Sequence, residues 1–289
     1  LNGNFTFESQ ALIRNYNTNI YEKTNTTNLI FKSYPIISSN GFYSDYEFLI
    51  KNSNTDSKNS TYKNDENIYL STLLQYNSSL PLIKKSENYQ KILKPKISFK
   101  LAPTHTQNSR DEETKIDLSN IYSLTRLTDN TTEGGFSVTY GSDYSIFDNK
   151  KSREILSLKL ANNARFEEND SLSNSNQMGE KTSNLFSEII FDPNEFLTTK
   201  YNNSLKNNLK DISYENFITE FKVNNFITKF DYINENNTSI KNTYLENETT
   251  FFMDKSNSLK FSTRENKSKD LTEYYNLMYQ YKNDCLAAS

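Results

Sequence analysis

Residues 120–147 read NIYSLTRLTDNTTEGGFSVTYGSDYSIF. From Phe136 onward the stretch alternates. Phe136, Val138, Tyr140, Tyr144 and Ile146 point one way, and Ser137, Thr139, Gly141, Asp143 and Ser145 the other. Successive side chains of a strand project to opposite faces, so period two predicts a strand with one apolar and one polar face. The first half is a polar, turn-rich loop that ends in Glu133-Gly134-Gly135. A lone glycine pair before a strand predicts a backbone bend or bulge rather than a cradle for phosphate.

The pattern repeats on both sides. Upstream, Phe5, Phe7, Ser9, Ala11 and Ile13 alternate with Thr6, Glu8 and Gln10, and residues 28–34 form a second strand closed by Pro35. Phe42, Tyr46, Phe48 and Ile50 then oppose Asp45 and Glu47, Ile68, Leu70, Leu74 and Tyr76 mark a further strand, and Ile97, Phe99 and Leu101 alternate with Ser98 and Lys100. Downstream, Leu156, Leu158 and Leu160 alternate with Ser157 and Lys159, and strands follow over 184–191, 196–206, 243–253, 258–264 and 271–282. Asn224-Asn225 separates Phe217, Phe221 and Val223 from Phe226, Phe230 and Tyr232, as a two-residue hairpin turn requires. The total is about fourteen strands of roughly 8–12 residues. Short connections at 35–40, 148–151, 192–194, 224–225 and 254–257 take turns with longer polar ones at 51–66, 104–120, 167–182, 207–213 and 266–270. Residues 77–93 stand apart, because the scheme requires a short turn there. The fold class expected is all-β, an antiparallel up-and-down transmembrane barrel wall, with short periplasmic turns and longer outer loops.

Composition fits that class. Hydrophobic residues are 34% of the 289 and the mean hydropathy is -0.81, low for a globule. Yet 20 Tyr and 19 Phe make the chain 13% aromatic, unlike a disordered chain. Strands that bury one face account for both. The net charge of -3 and the lack of a basic stripe speak against nucleic acid. No apolar run predicts a membrane helix, which does not bear on a barrel. The chain starts at Leu1 without a signal peptide and reads as an internal start.

Chemical motifs are few. Gly179-Glu180-Lys181-Thr182 lacks the upstream glycine of a phosphate loop, since position 174 is asparagine. His105 is the only histidine and sits in a polar loop without the partners of a triad or metal site, so no enzyme and no cofactor are expected. Asp111-Glu112-Glu113 and Glu167-Glu168 read as solvated charge. Sequons such as Asn130-Thr131-Thr132 and Asn247-Glu248-Thr249 are expected by chance in a chain so rich in Asn, Ser and Thr. Cys285 is the single cysteine, so no internal disulfide is possible; a spare thiol and a disulfide to a partner outside the sequence both remain open.

Several phrases, in order, resemble the LptD family of outer-membrane LPS-assembly proteins. Asn120 to Tyr144 matches an N-[IL]-[YF]-S-L-x-R segment, E-G-G and an aromatic strand ending Y-G-x-x-Y. Gly41-Phe42, Leu93-Lys94-Pro95-Lys96, Asn184-Leu185-Phe186 through Asp192-Pro193-Asn194 to Tyr201, Lys269-Asp270-Leu271, and Tyr279-x-Tyr281-x-x-Asp284-Cys285 are similar to its other signatures. The resemblance implies that residues 1–289 are part of the family's C-terminal outer-membrane β-barrel domain, an incomplete barrel cut at both ends, with the N-terminal jelly-roll domain and terminal strands absent. It implies a part of the translocon that inserts lipopolysaccharide into the outer leaflet. The partners implied are lipopolysaccharide, outer-membrane lipid, an LptE-like plug lipoprotein and an LptA-like periplasmic bridge. Cys285 corresponds to a family cysteine in a disulfide with the N-terminal domain, although Leu286 stands where some relatives carry a second cysteine. Without Trp, Tyr and Phe must supply the interfacial girdles. The alternatives are another outer-membrane barrel, porin or receptor-like, and a soluble β-sandwich or adhesin.

Overall fold

The computed structural model describes residues 2–16, 20–58, 67–105, 108–110, 114–127, 131–236, 241–282 and 287–288. Its strands are β1 (Gly3–Tyr16), β2 (Ile20–Ser33), β3 (Ile36–Ile37), β4 (Tyr43–Lys58), β5 (Asn67–Ser79), β6 (Leu82–Lys85), β7 (Tyr89–Ala102), β8 (Gly135–Asp148) and β9 (Arg153–Arg165). A 3-10 turn (Asn174–Asn176) precedes β10 (Leu185–Asn194), β11 (Leu197–Leu205), β12 (Ile212–Val223), β13 (Phe226–Asn236), β14 (Lys241–Phe252), β15 (Asn257–Asn266), β16 (Leu271–Lys282) and β17 (Ala287–Ala288). Fourteen of these have nine residues or more, matching the expected number, and the other three have two to four. Each long strand pairs antiparallel with its neighbours along the chain, as in β1 with β2, β2 with β4, β9 with β10 and β12 with β13. The sheet is all-β, antiparallel and up-and-down.

Several boundaries differ from expectation. β4 runs to Lys58, through residues read as a loop, and β2 begins at Ile20 rather than 28. Both extensions are polar on both faces and so give no alternation to read. Cross-strand pairs stabilise them instead. Tyr21 Oη donates to Asp56 at 3.1 Å, Lys23 pairs with Asp56 at 3.3 Å, and the Thr26 and Ser53 hydroxyls lie 3.4 Å apart. The short turn missing from 77–93 sits at 86–88. Pro81 breaks the strand into β5 and β6, and β7 pairs with β6 through Gln90–Leu93 and with β5 through Lys96–Leu101. The turn read at 192–194 falls at Glu195-Phe196, where Asn194 Oδ1 accepts from the N–H of Phe196 and Leu197. Residues 267–270 form a tight turn with Asp270 at φ 48°, not a long loop. The Asn224-Asn225 hairpin stands as read, with Val223 paired to Phe226 and Asn224 at φ 52°.

The chain divides into two compact units: Leu1–Pro81, Pro95–Gly141 and Asn162–Ser183 in one, Leu82–Lys94, Ser142–Ala161 and Asn184–Ser289 in the other. In the first, the usual polarity is inverted. One sheet face exposes Phe5, Phe7, Ile13, Ile68, Leu70 and Tyr76, while the opposite face buries Lys51, Ser53, Ser71, Gln75, Ser98 and Lys100. Apolar area of that extent facing outward suits lipid rather than water. Aromatic contacts cross the exposed face without tryptophan: Phe5–Phe31 at 4.8 Å, Phe31–Tyr46 at 5.7 Å, Tyr76–Phe99 at 6.4 Å, Phe99–Phe136 at 6.5 Å and Phe136–Phe166 at 4.9 Å. In the second unit the exposed face carries Phe217, Phe221, Phe230, Phe261, Tyr275 and Leu277.

Candidate functional site

The polar face of the first unit is covered by the chain between β7 and β8. The sequence predicts a polar loop here. The structure instead buries Ile116, Ile121, Leu124, Arg126, Thr131, Thr132 and Glu133. A local turn aims it: the N–H of Ile121 donates to the Asp117 carbonyl at 2.9 Å, that of Ser119 to Asp117 Oδ1 at 2.8 Å, and that of Asp117 to Asn120 Oδ1 at 2.9 Å. Leu124 then packs with Leu49, Leu73 and Ala102, with Ile30 alongside. Ile30, Leu49 and Leu73 lie in one cross-strand row, since Ile30 pairs with Leu49 and the neighbouring Ile50 with Thr72. This apolar row on an otherwise polar face is where the segment lands.

Two residues further, Arg126 enters the wall with no exposed side-chain surface. Its Nε and Nη2 donate to the two oxygens of Glu133, each at 2.6 Å. Nη1 reaches the Ile121 carbonyl and Thr139 Oγ1, both at 2.9 Å, and Nη2 reaches Asn163 Oδ1 at 2.9 Å. Arg165 Nη1 donates to the same carboxylate at 2.6 Å, and its Nη2 donates to the Gly134 carbonyl. Lys100 Nζ lies 3.9 Å from Glu133 and donates to the Ser123 carbonyl at 2.7 Å. One buried anion is thus shared by three buried cations, with the bidentate Arg126 geometry that gives the strongest pairing. Thr139, on β8, and Asn163 and Arg165, on β9, belong to the polar sides of their strands, so the R-x₆-E spacing of the quoted stretch closes on the wall behind it.

The glycine pair serves this closure. A Cβ on Gly134 would lie 2.5 Å from the His105 nitrogen, and the Gly134 N–H donates to His105 Nδ1 at 3.2 Å. Gly135 has φ 95°, left-handed backbone that L-residues disfavour. His105 is therefore a structural ligand of the bend. Burial pushes the Glu133 carboxyl upward, but Arg126, Lys100 and Arg165 outweigh it and hold the group well below the usual carboxylate range. A depressed folded value means stability present above the ordinary glutamate value and lost as pH falls through the folded one. Protection of 121–127 from hydrogen exchange, once the intrinsic pH dependence of amide exchange is divided out, should therefore be flat from pH 7 to about 5 and fall only below about 4. Release centred near neutral pH would contradict the assignment.

The β9–β10 connection, also read as a polar loop, packs on the first segment. Ser109 N donates to the Ser171 carbonyl at 2.7 Å, Arg110 pairs with Asp170 at 3.3 Å, and Asn176 Nδ2 reaches the Thr114 carbonyl at 2.7 Å. Leu172 and Met178 are buried in it. Lys181 Nζ donates to the Phe166 carbonyl and Thr182 makes an isolated bridge to Ala164, so Gly179–Thr182 is a turn tied back to the end of β9 and not a phosphate cradle. Asp111, Glu112, Glu113, Asn130 and Cys285 lie outside the described residues.

In the second unit the polar face carries alternating charge across strands. Glu188 bridges Lys159 at 2.7 Å and Lys200 at 3.0 Å, Lys229 meets Asp231 at 3.4 Å, Lys260 meets Glu248 at 2.8 Å, and Arg264 holds Glu246 and Glu273 at 3.2 and 3.0 Å. Among the described residues no group of three or more His, Cys, Asp and Glu is placed to hold a metal ion. The arrangement offers a charged, hydrogen-bonding surface.

A family model described as LptD: LPS transport system D matches residues 4–265. No curated protein matches. Among solved structures, a double and a triple mutant of the porin of Rhodopseudomonas blastica each align with 94% of this chain and 95% of their own. Both are 8% identical to it, at a TM-score of 0.31.

Proposed function

The chain belongs to the LptD family, an LPS-transport family of outer-membrane β-barrels, and we propose from that premise how its two faces divide the work. The protein is part of the outer-membrane translocon that places lipopolysaccharide in the outer leaflet. Exposed Phe, Tyr, Leu and Ile face lipid. The charged face from Lys159 to Arg264 lines the route of the saccharide, offering both signs of charge to its phosphates and hydroxyls. The observation that carries this reading is the inverted polarity, with apolar side chains exposed and Lys, Arg, Ser and Asn turned to the other side. The segment between β7 and β8 closes on the polar wall and limits the free passage beside it.

In this reading residues 1–289 belong to the C-terminal barrel domain, and the protein works without catalysis. A periplasmic LptA-like bridge delivers the substrate and an LptE-like lipoprotein supports the barrel. Cys285 forms a disulfide with a cysteine elsewhere in the full-length protein.

Neighbouring positions on opposite faces test it. Asn202 lies on the polar face beside Asn216, and Phe217 on the exposed face beside Tyr201. A photocrosslinker at Asn202 should capture lipopolysaccharide only while transport is energised. At Phe217, adducts with resident leaflet lipid should persist after energy depletion. No adduct at Asn202, or one indifferent to energy, would contradict the proposed route.

A further inference from the structure

The β6–β7 hairpin places like charges directly opposite one another. Lys84 pairs with Lys91 in register, and two residues along the same ladder Leu82 pairs with Leu93. All four side chains are exposed, the leucines by 48% and 40%. Neither lysine has an ion pair with a described residue. Facing ammonium groups in a strand pair are destabilising unless an anion lies between them. On β7, Lys91 and Leu93 share parity with the exposed Phe99 and Leu101, which puts the pair on the apolar side of the strand.

The neighbouring turn adds charge at the same end. Asn149 N donates to the Asn88 carbonyl at 2.9 Å, and Asn149 Nδ2 to the carbonyls of Ser86 and Glu87 at 2.9 and 3.2 Å. The β8–β9 turn is thereby tied to the β6–β7 turn and brings exposed Lys150 and Lys151 beside it. The nearby Asp148 carboxylate is already engaged by the N–H groups of Lys150 and Lys151. Glu87 lies in the turn itself.

We propose that Lys84 and Lys91, with Leu82 and Leu93, form a binding site for an anionic phospholipid of the periplasmic leaflet. The phosphate sits between the two ammonium groups and an acyl chain lies along the leucines. One two-residue step along a strand, about 7 Å, matches the passage from headgroup to chain. The exposed leucine pair on the same face favours a lipid over an acidic protein. The leaflet rests on the family reading, because these turns lie at the ends of β7 and β9 away from their long connections, and the long connections are the outer ones.

The sequence has no tryptophan, so one introduced into the full-length protein reports its own surroundings by difference from the parent. Leu93→Trp probes the site, and Leu277→Trp, exposed on β16, probes a distant part of the apolar face. The protein is reconstituted in phosphatidylcholine vesicles containing either brominated phosphatidylglycerol or brominated phosphatidylcholine at equal mole fraction. Enrichment of the anionic lipid by about fivefold is expected at Leu93→Trp and none at Leu277→Trp. Lys84→Gln with Lys91→Gln should abolish it, and the paired arginine substitutions should keep it. Preference that survives the glutamine pair, equal preference at both reporters, or none at Leu93→Trp would overturn the proposal. In the last case, quenching of both reporters by either lipid would leave an acidic protein as the partner of the lysines. Absence of any quenching would instead overturn the membrane reading, and the site with it.

Discussion

Replacing Glu133 by glutamine is expected to free the β7–β8 segment from the wall, at a cost of about 3–5 kcal/mol. Arg126, Arg165 and Lys100 are buried, and among the described residues Glu133 is the only carboxylate within 4.0 Å of any of them. Glutamine keeps the size but removes the charge and presents donors to donors. Arg126→Met behaves differently. It forfeits the bonds to Ile121, Thr139 and Asn163, yet leaves the anion with two cations and relieves repulsion among three. The double variant should therefore lose less than the two single losses combined. Protection of residues 121–127 from hydrogen exchange in all four proteins measures this. Additive losses would show that the three cations do not share the carboxylate.

Gly134→Ala is expected to be more damaging than the same change at Gly135 or Gly41, costing about 1–3 kcal/mol. The new Cβ would lie 2.5 Å from the His105 nitrogen and 2.8 Å from its Cα, both backbone atoms that cannot rotate away. Gly135→Ala meets left-handed strain at φ 95° and the movable Arg165 Nη2 at 2.8 Å, so its cost should be lower, about 1–2 kcal/mol. Gly41→Ala has comparable strain at φ 84° but meets only a Leu80 methyl at 3.7 Å, and should be mildest. Urea midpoints of the three variants in one detergent give the order. A Gly41 variant weaker than the Gly134 variant would show that the bend does not seat on His105.

Alternation made the fold legible where one face is apolar, as in β8, β9 and the Asn224-Asn225 hairpin. It failed where both faces are polar, as in residues 51–58 of β4, because asparagine, serine and threonine look alike in a ladder and in a loop. The covering segment was hidden for a related reason. Inside a polar wall, burial does not require apolar periodicity, so Thr131, Thr132 and Glu133 read as solvent-facing. Two signals pointed to it. Leu29-Ile30, Leu49-Ile50, Leu73-Leu74 and Leu101-Ala102 each put an apolar residue on both faces, and one member of each joins or flanks the Leu124 contact. Arg126 and Glu133 are also the two charged residues at fixed positions of the N-[IL]-[YF]-S-L-x-R and E-G-G signatures.

The most direct test labels a cysteine at Leu124 with a membrane-impermeant maleimide on intact cells, with the modified peptide located by mass spectrometry to set it apart from Cys285. Leu124 is 8% exposed between Leu49, Leu73 and Ala102. With Glu133 intact, Leu124→Cys should be labelled slowly, and the added Glu133→Gln change should speed labelling by about 100-fold or more, in line with the loss of the ion cluster. Rapid labelling that is the same with and without Glu133 would show that the segment does not rest on the wall, and the Arg126–Glu133 pair would no longer explain why this stretch covers the polar face.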